Sequence, residues 1–326
     1  MLITEQIESR HLAGNLYGDP STRDLVVYLP PGYERSSRRY PVAYLLHGGG
    51  QKAIYWTRPN PAGVFLFPPI DEILDPVFAK RQAAEMIVVM PDGWSRYGCS
   101  QWVDTPTNGN FEQYVVREIV PYIDAHYRTI PDAASRGVFG ISSGGIGAWH
   151  LGSRHPDVFS AMALLSADSH FDFFLRREIL EYYTSIYPAE PDGPVEGNFH
   201  SGLVYLCAAC YSPNPAKPPF YVDLPIEYPT GAIIPEVWAK WLSHDPVVNW
   251  RDRVENLRQL RGIFMEVGSR DDFTFHYGHR LLSQGLRSAG IAHESREHDG
   301  DHAGHFYRQH QLAAEWLSET LVHAAG

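Results

Sequence analysis

The segment Gly140-Ile141-Ser142-Ser143-Gly144-Gly145 is the sharpest chemical signal in the chain. It fits G-x-S-x-G with one further glycine. In that pattern a strand turns abruptly into a helix with a serine at the apex, and the glycines let strand and helix approach closely. The flanks suit it: Arg136-Gly137-Val138-Phe139 reads as a strand and Gly147–Leu151 as the start of a helix. Ser142 is the candidate nucleophile, since Ile141 and Gly145 do not flank Ser143 with the glycines that residue would need. A serine hydroxyl needs a base to take its proton and an acid to orient that base. With a serine of this kind the chain order is Ser, then Asp or Glu, then His. The apolar run Ile263–Val267 leads into Gly268-Ser269-Arg270-Asp271-Asp272, and Asp271 is the preferred acid. Asp272 is the runner-up and the better N-cap for a helix beginning near Thr274. The loop Gly300-Asp301-His302-Ala303-Gly304-His305 supplies the base, His302 ahead of His305, with His298 third. The developing oxyanion needs backbone donors. Ser143 follows the nucleophile, and His47-Gly48-Gly49-Gly50 follows an early strand, with Gly49 the preferred second donor.

Other clusters carry weaker readings. His276-x-x-His279 and His302-x-x-His305 have a spacing that can chelate, but no H-E-x-x-H occurs, so neither a metal nor another cofactor is expected. Cys99, Cys207 and Cys210 are too few, and odd in number, for a disulfide framework; the C-x-x-C at 207–210 reads as ordinary partly buried thiols. Trp56, Trp94 and Trp102 sit in loops able to face a pocket, and are taken as candidate substrate-binding residues beside the plainer reading of packing.

Positioning these residues requires a sheet. Asp24–Leu29, Val42–Leu46, Met86–Met90, the stretch around Gly137–Gly140, Ala161–Leu165 and Ile263–Val267 are short apolar runs, as buried parallel strands are. A seventh strand is expected near Ala292–Glu297. Helical spacing marks Phe111–Tyr127, Tyr277–Ala289 and Phe306–Ala324. This alternation predicts an α/β fold with a mostly parallel, doubly wound sheet, taken as one domain over residues 1–326. Residues 170–249, rich in proline and aromatics, break the rhythm and are expected to form a lid-like insertion over the carboxyl ends of the strands.

The 326 residues include 38 Asp and Glu against 27 Lys and Arg, a net charge of −11 with no compact basic cluster, which disfavours nucleic acid as a partner. No apolar run is long enough to span a membrane, and the opening MLITEQIESRHLAG lacks a signal peptide's apolar stretch, so a cytoplasmic protein is expected of the chain as it stands.

Taken together, the motifs resemble the esterase D family of α/β-hydrolases, a group that includes S-formylglutathione hydrolases, feruloyl and acetyl-xylan esterases and enterochelin-type esterases. The matching segments run from VVYLPPGY at Val26–Tyr33 through YPVAYLLHGGG at Tyr40–Gly50 and IVVMPDG at Ile87–Gly93. They continue with FEQYVVREIVPYIDAHYRT at Phe111–Thr129, GVFGISSGGIGAWHLGSRHPDVFSA at Gly137–Ala161, the G-x-x-D at Gly268–Asp271 and the G-x-H at Gly300–His302. The resemblance implies an α/β-hydrolase fold and a triad of Ser142, Asp271 and His302, with oxyanion amides from Ser143 and the loop residue two past His47. It also implies His302 over His305, because relatives often carry an aromatic five residues after the histidine, where Tyr307 stands. Two departures are Asp301, where Gly-Gly-His is usual, and Ser143, where many relatives carry Met. Residues 170–249 match no segment of that pattern.

The expectation is a serine carboxylic-ester hydrolase working through an acyl-enzyme on a small-molecule ester. The rival readings are an acyltransferase to a sugar or other alcohol using the same residues, and a catalytically silent binding scaffold. Pairing of subunits is plausible for such enzymes, though no sequence feature marks it.

Overall fold

The computed structural model describes residues 1–58, 68–80, 83–186 and 193–324. Eight strands form the main sheet: β1 (Leu2–Glu8), β2 (Thr22–Tyr28), β3 (Val42–Leu46), β4 (Ile87–Pro91), β5 (Arg136–Ile141), β6 (Ala161–Leu165), β7 (Gly262–Gly268) and β8 (Glu294–His298). Their order is β1-β2-β4-β3-β5-β6-β7-β8. β4 through β8 and β3 pair in parallel, while β1 on β2 and β2 on β4 are antiparallel. This is the α/β-hydrolase arrangement expected from the sequence.

Why the central strands read as unbroken apolar runs is visible in their burial. In β3, Val42, Tyr44 and Leu46 pack into one core while Ala43 and Leu45 pack into another across the sheet. Both faces are covered by helices, so no alternation with polar residues survives. β1 differs. Thr4, Gln6 and Glu8 are exposed and Ile3, Glu5 and Ile7 are half-buried, the period-2 pattern of an edge strand with one wet face. Its register against β2 pairs Leu2 with Tyr28 and Glu8 with Thr22. With polar residues at every second position, it carries no continuous apolar run to mark it as a strand.

The helix α1 (Ile70–Ala79) lies beside α7 (Phe306–Thr320) on one face. The stretch Phe111–Gln113, Tyr114–Ile119 and Val120–His126 is one helical run with a π-helical centre. α2 (Ser143–Arg154) leaves the elbow, and α6 (Phe275–Ser288) connects β7 to β8. Between β6 and β7 lie α3 (Phe174–Ile186), α4 (Phe199–Tyr211) and α5 (Pro235–Leu242), inside the span read as an insertion. Cys207 and Cys210 are on the buried face of α4, and all three cysteines are buried and unbridged; burial pushes the Cys99 thiol up to about 12. No described helix is long and apolar enough to cross a membrane.

Candidate active site

The elbow forms where β5 meets α2. Ser142 takes φ 57° and ψ −125°, a conformation that L side chains seldom adopt and that persists only where packing over-determines it. The glycines supply that packing. A Cβ on Gly140 would lie 2.5 Å from the Gly144 carbonyl carbon, and one on Gly144 only 2.0 Å from the Leu46 carbonyl oxygen. Strand β3, the turn and α2 therefore meet backbone to backbone.

On the facing loop, a Cβ on Gly48 would lie 3.3 Å from the Ser142 Cβ, and one on Gly49 3.4 Å from the Ser143 hydroxyl. The glycine loop thus runs directly along the elbow. Ser143 opens α2, so its N–H has no carbonyl one turn back to bind. His47 braces this loop. Its Nδ1 lies 2.9 Å from the Gly48 carbonyl, and its Nε2 accepts from the Gly93 amide at 2.8 Å. Those two bonds require a neutral ring with the proton on Nδ1, and burial holds its pKa below the usual value.

Asp271 and His302 meet across the ends of β7 and β8. The His302 Nδ1 lies 2.7 Å from Asp271 Oδ2, and both side chains are almost wholly buried. Asp271 Oδ1 accepts from the amides of Phe273, at 2.9 Å, and Phe275, at 3.3 Å. The capping role assigned to Asp272 therefore belongs to Asp271, which holds the helix entry and the imidazole with one carboxylate. Asp272 Oδ2 instead accepts from the backbone N–H of His302 at 3.2 Å. Phe273 and Phe275 pack edge-on against the His302 ring and limit its rotation.

The alternative bases point elsewhere. His305 is exposed and stacks on His298, with ring centroids 4.4 Å apart, and the His298 Nδ1 faces Glu266 at 3.5 Å. Tyr307 is on the surface, where its hydroxyl donates to the Glu72 carbonyl. In the His276/His279 pair, the His279 Nε2 accepts from the Ala167 amide at 3.1 Å, and burial lowers its pKa to about 4.

Ser142, His302 and Gly49 line two cavities that meet at Ser142. The narrower, about 40 Å³, is walled by Lys52, Tyr55, Trp56, Ile141 and Phe306. The wider, about 390 Å³, is walled by Tyr97, Phe174, Phe199, Leu206, Phe273 and Phe275. Of the three candidate tryptophans, Trp56 lines the narrow side. Trp102 is a correction: it is fully buried, edge-on to His47, in space that a side chain on Gly93 or Gly147 would fill. Trp94 lies outside both linings and carries Lys52 over its ring, 4.3 Å from the centroid.

One residue at the site was not anticipated. Asp168, two positions past the neighbours of β6's end, lines the wider cavity with its Oδ1 3.4 Å from the Ser142 hydroxyl. Its Oδ2 accepts from Gln101 Nε2 at 3.2 Å and from the Ser143 hydroxyl at 3.3 Å. Burial raises its pKa from 3.8 to about 6. The folded protein therefore holds this proton to a higher pH than the unfolded chain, and stability is lost as pH rises from about 4 to about 6. An Asp168→Asn variant lacks that loss. Its stability relative to the parent should improve by up to about 3 kcal/mol between about pH 4 and pH 7. Denaturant titrations of both proteins at the two pH values check this; a difference that stays constant with pH refutes the titration.

Comparison with known proteins gives one family. The Esterase family model matches residues 20–319. An esterase of Mycobacterium tuberculosis is 28% identical over 284 residues, covering 85% of this chain and 51% of that protein. The chain thus spans about half the length of that relative. An endo-1,4-beta-xylanase/feruloyl esterase of Xylanibacter ruminicola is 31% identical over 148 residues, covering 44% of this chain and 19% of that protein. Among solved structures, a ferulic acid esterase superposes with TM-score 0.66 at 21% identity, covering 98% of this chain and 99% of the other. An S-formylglutathione hydrolase of Staphylococcus aureus gives 0.61 at 14%, covering 98% of each. At those identities the likeness speaks to the fold.

Proposed function

Because this chain belongs to the Esterase family, we propose that it hydrolyses carboxylic esters through an acyl-enzyme on Ser142. The observation that carries the reading is the buried 2.7 Å contact between His302 Nδ1 and Asp271 Oδ2, beside cavities that Ser142 and His302 line together. That contact puts the ring proton on Nδ1 and leaves Nε2 to accept. Ser142 attacks the ester carbonyl as His302 takes its proton. Asp271 orients the imidazole and stabilises its charged form. The amides of Ser143 and Gly49 bind the oxyanion. His302 then protonates the departing alcohol and later activates water. The ring-lined wider cavity suits an ester with an aromatic group, in keeping with the feruloyl and ferulic acid esterases among the relatives.

The test is covalent labelling. A fluorophosphonate probe should add one mass unit of probe per chain, map to the peptide carrying Ser142, and fail on a Ser142→Ala variant. A short-chain nitrophenyl ester should give a burst of nitrophenol matching the labelled fraction. Labelling elsewhere, or none, would refute the assignment.

A further inference from the structure

The reaction just proposed already has its acid in Asp271, which leaves the second carboxylate at the nucleophile without a role. Asp168 is held there with unusual firmness. Gln101, its amide partner, and the adjoining Trp102 both have positive φ, 50° and 58°, and the Trp102 indole is wedged against Gly93 and Gly147. On the other side, the Ser166 N–H donates to the Glu266 carbonyl at 2.7 Å and the Ala167 N–H to His279. Ser169 fills the space where Gly278 lacks a side chain. His170 and Phe171 then give their amides to the buried carboxylate of Asp245. Strained backbone anchored from several elements is a feature of positions where geometry serves a ligand.

The two oxygens of Asp168 differ. Oδ2 has two protein donors, whereas Oδ1 has the Ser142 hydroxyl, at a long 3.4 Å. That donor is consumed by the reaction. Once Ser142 passes its proton to His302, and throughout the life of an acyl-enzyme, its Oγ carries no hydrogen. Oδ1 then faces an ester oxygen beside a cavity walled by phenylalanines. Ionised, the carboxylate can only accept, and a new donor favours that form over the protonated one that burial promotes. An acceptor so enclosed is costly unless another donor reaches it. Oδ1 is close enough to Ser142 that the donor must lie near the carbon under attack, and an atom on the adjacent acyl carbon meets that condition.

Resting on the ester-hydrolase reading, we propose that Asp168 is a binding residue for a hydroxyl or ammonium group on the acyl carbon next to the scissile carbonyl. The preferred acyl group is then that of a 2-hydroxy or 2-amino acid whose aromatic side chain fills the ring-lined cavity.

Three ethyl esters test this by pH-stat: 3-phenylpropionate, 2-hydroxy-3-phenylpropionate and 2-amino-3-phenylpropionate. The parent should favour at least one donor-bearing ester over 3-phenylpropionate by about tenfold or more in kcat/KM. In Asp168→Ala that ratio should fall by about tenfold or more, whatever happens to the absolute rates. Asp168→Asn keeps an acceptor but not the charge, so it should retain part of a hydroxyl preference and lose an ammonium preference. A parent ratio near unity, or one that Asp168→Ala leaves unchanged, overturns the proposal and makes Asp168 a brace for the elbow only. Binding of 2-hydroxy-3-phenylpropionamide, 2-amino-3-phenylpropionamide and 3-phenylpropionamide to Ser142→Ala by calorimetry reads the same preference without turnover. Loss of probe labelling at Ser142 would instead strike the hydrolase reading, and the amide series would still decide the role of Asp168.

Discussion

Asp271→Asn should lower kcat on a nitrophenyl ester by about four orders of magnitude, while Asp272→Asn should stay within about tenfold of the parent. The asymmetry follows from what each oxygen touches. Asp271 Oδ1 accepts two backbone amides, so an asparagine there keeps its carbonyl oxygen on those amides. Its NH2 group then faces His302 Nδ1, where Oδ2 now sits at 2.7 Å. Two donors cannot share that contact, so the imidazole proton moves to Nε2, the nitrogen that must accept from Ser142. An intact but wrongly protonated base is the expected outcome, with a loss of about 10⁴ in kcat typical of that tautomer error. The Asp272 carboxylate holds the His302 backbone N–H and faces no ring nitrogen of that histidine among the described contacts. Its replacement should loosen the loop without changing the tautomer. Steady-state kinetics at neutral pH, with thermal melts to show that both variants are folded, check the pair. Equal losses, or a larger loss from Asp272→Asn, would overturn the assignment of the acid.

The second large effect is on folding. Gly144→Ala should cost more than about 4 kcal/mol, enough to leave little soluble protein. Its Cβ would sit 2.0 Å from the Leu46 carbonyl oxygen, 2.6 Å from that carbonyl's carbon and 2.8 Å from the His47 carbonyl oxygen. All three are backbone atoms at the end of β3, which pairs with β4 and β5 at the centre of the sheet. No side chain can rotate away, so relief requires moving strand or helix. Gly202→Ala is the control. It lies within α4, with no atom within 4 Å of an added Cβ, and should stabilise by up to about 1 kcal/mol. Soluble yield and denaturant midpoints separate the two. A Gly144→Ala protein as stable as the parent would show that the elbow packing is looser than described.

Where the sequence could be read, a local pattern had only one use. Val42–Leu46 and Ala161–Leu165 have the same bounds in sequence and structure, because a strand buried on both faces must be apolar throughout. The elbow was equally legible, since its glycines answer to contacts within a few residues of Ser142. What stayed hidden depended on distant partners. β1 looks polar on its own, and becomes a strand by pairing along β2. Asp168 is an ordinary acidic residue until one notices that it follows β6, the neighbour of the strand that ends just before Ser142; the carboxyl ends of adjacent strands converge on one site. Trp102 was misread because a loop tryptophan gives no local sign of which way its ring faces. The capping expected of Asp272 falls to Asp271 because one carboxylate has two oxygens and can hold both the helix entry and the imidazole.

The two cavities that meet at Ser142 also bear on what happens after the first product leaves. With the bulkier part of an ester held in the wider cavity and the alcohol departing through the narrow one, the acyl group stays seated while its former neighbour's space empties. That space, about 40 Å³, is sized for a few small molecules such as water. On the proposed mechanism the acyl-enzyme would then be a branch point at which competing nucleophiles are sorted by size. Water and the smallest alcohols would fit that space, and a larger acceptor would meet Lys52 and Tyr55 in its wall.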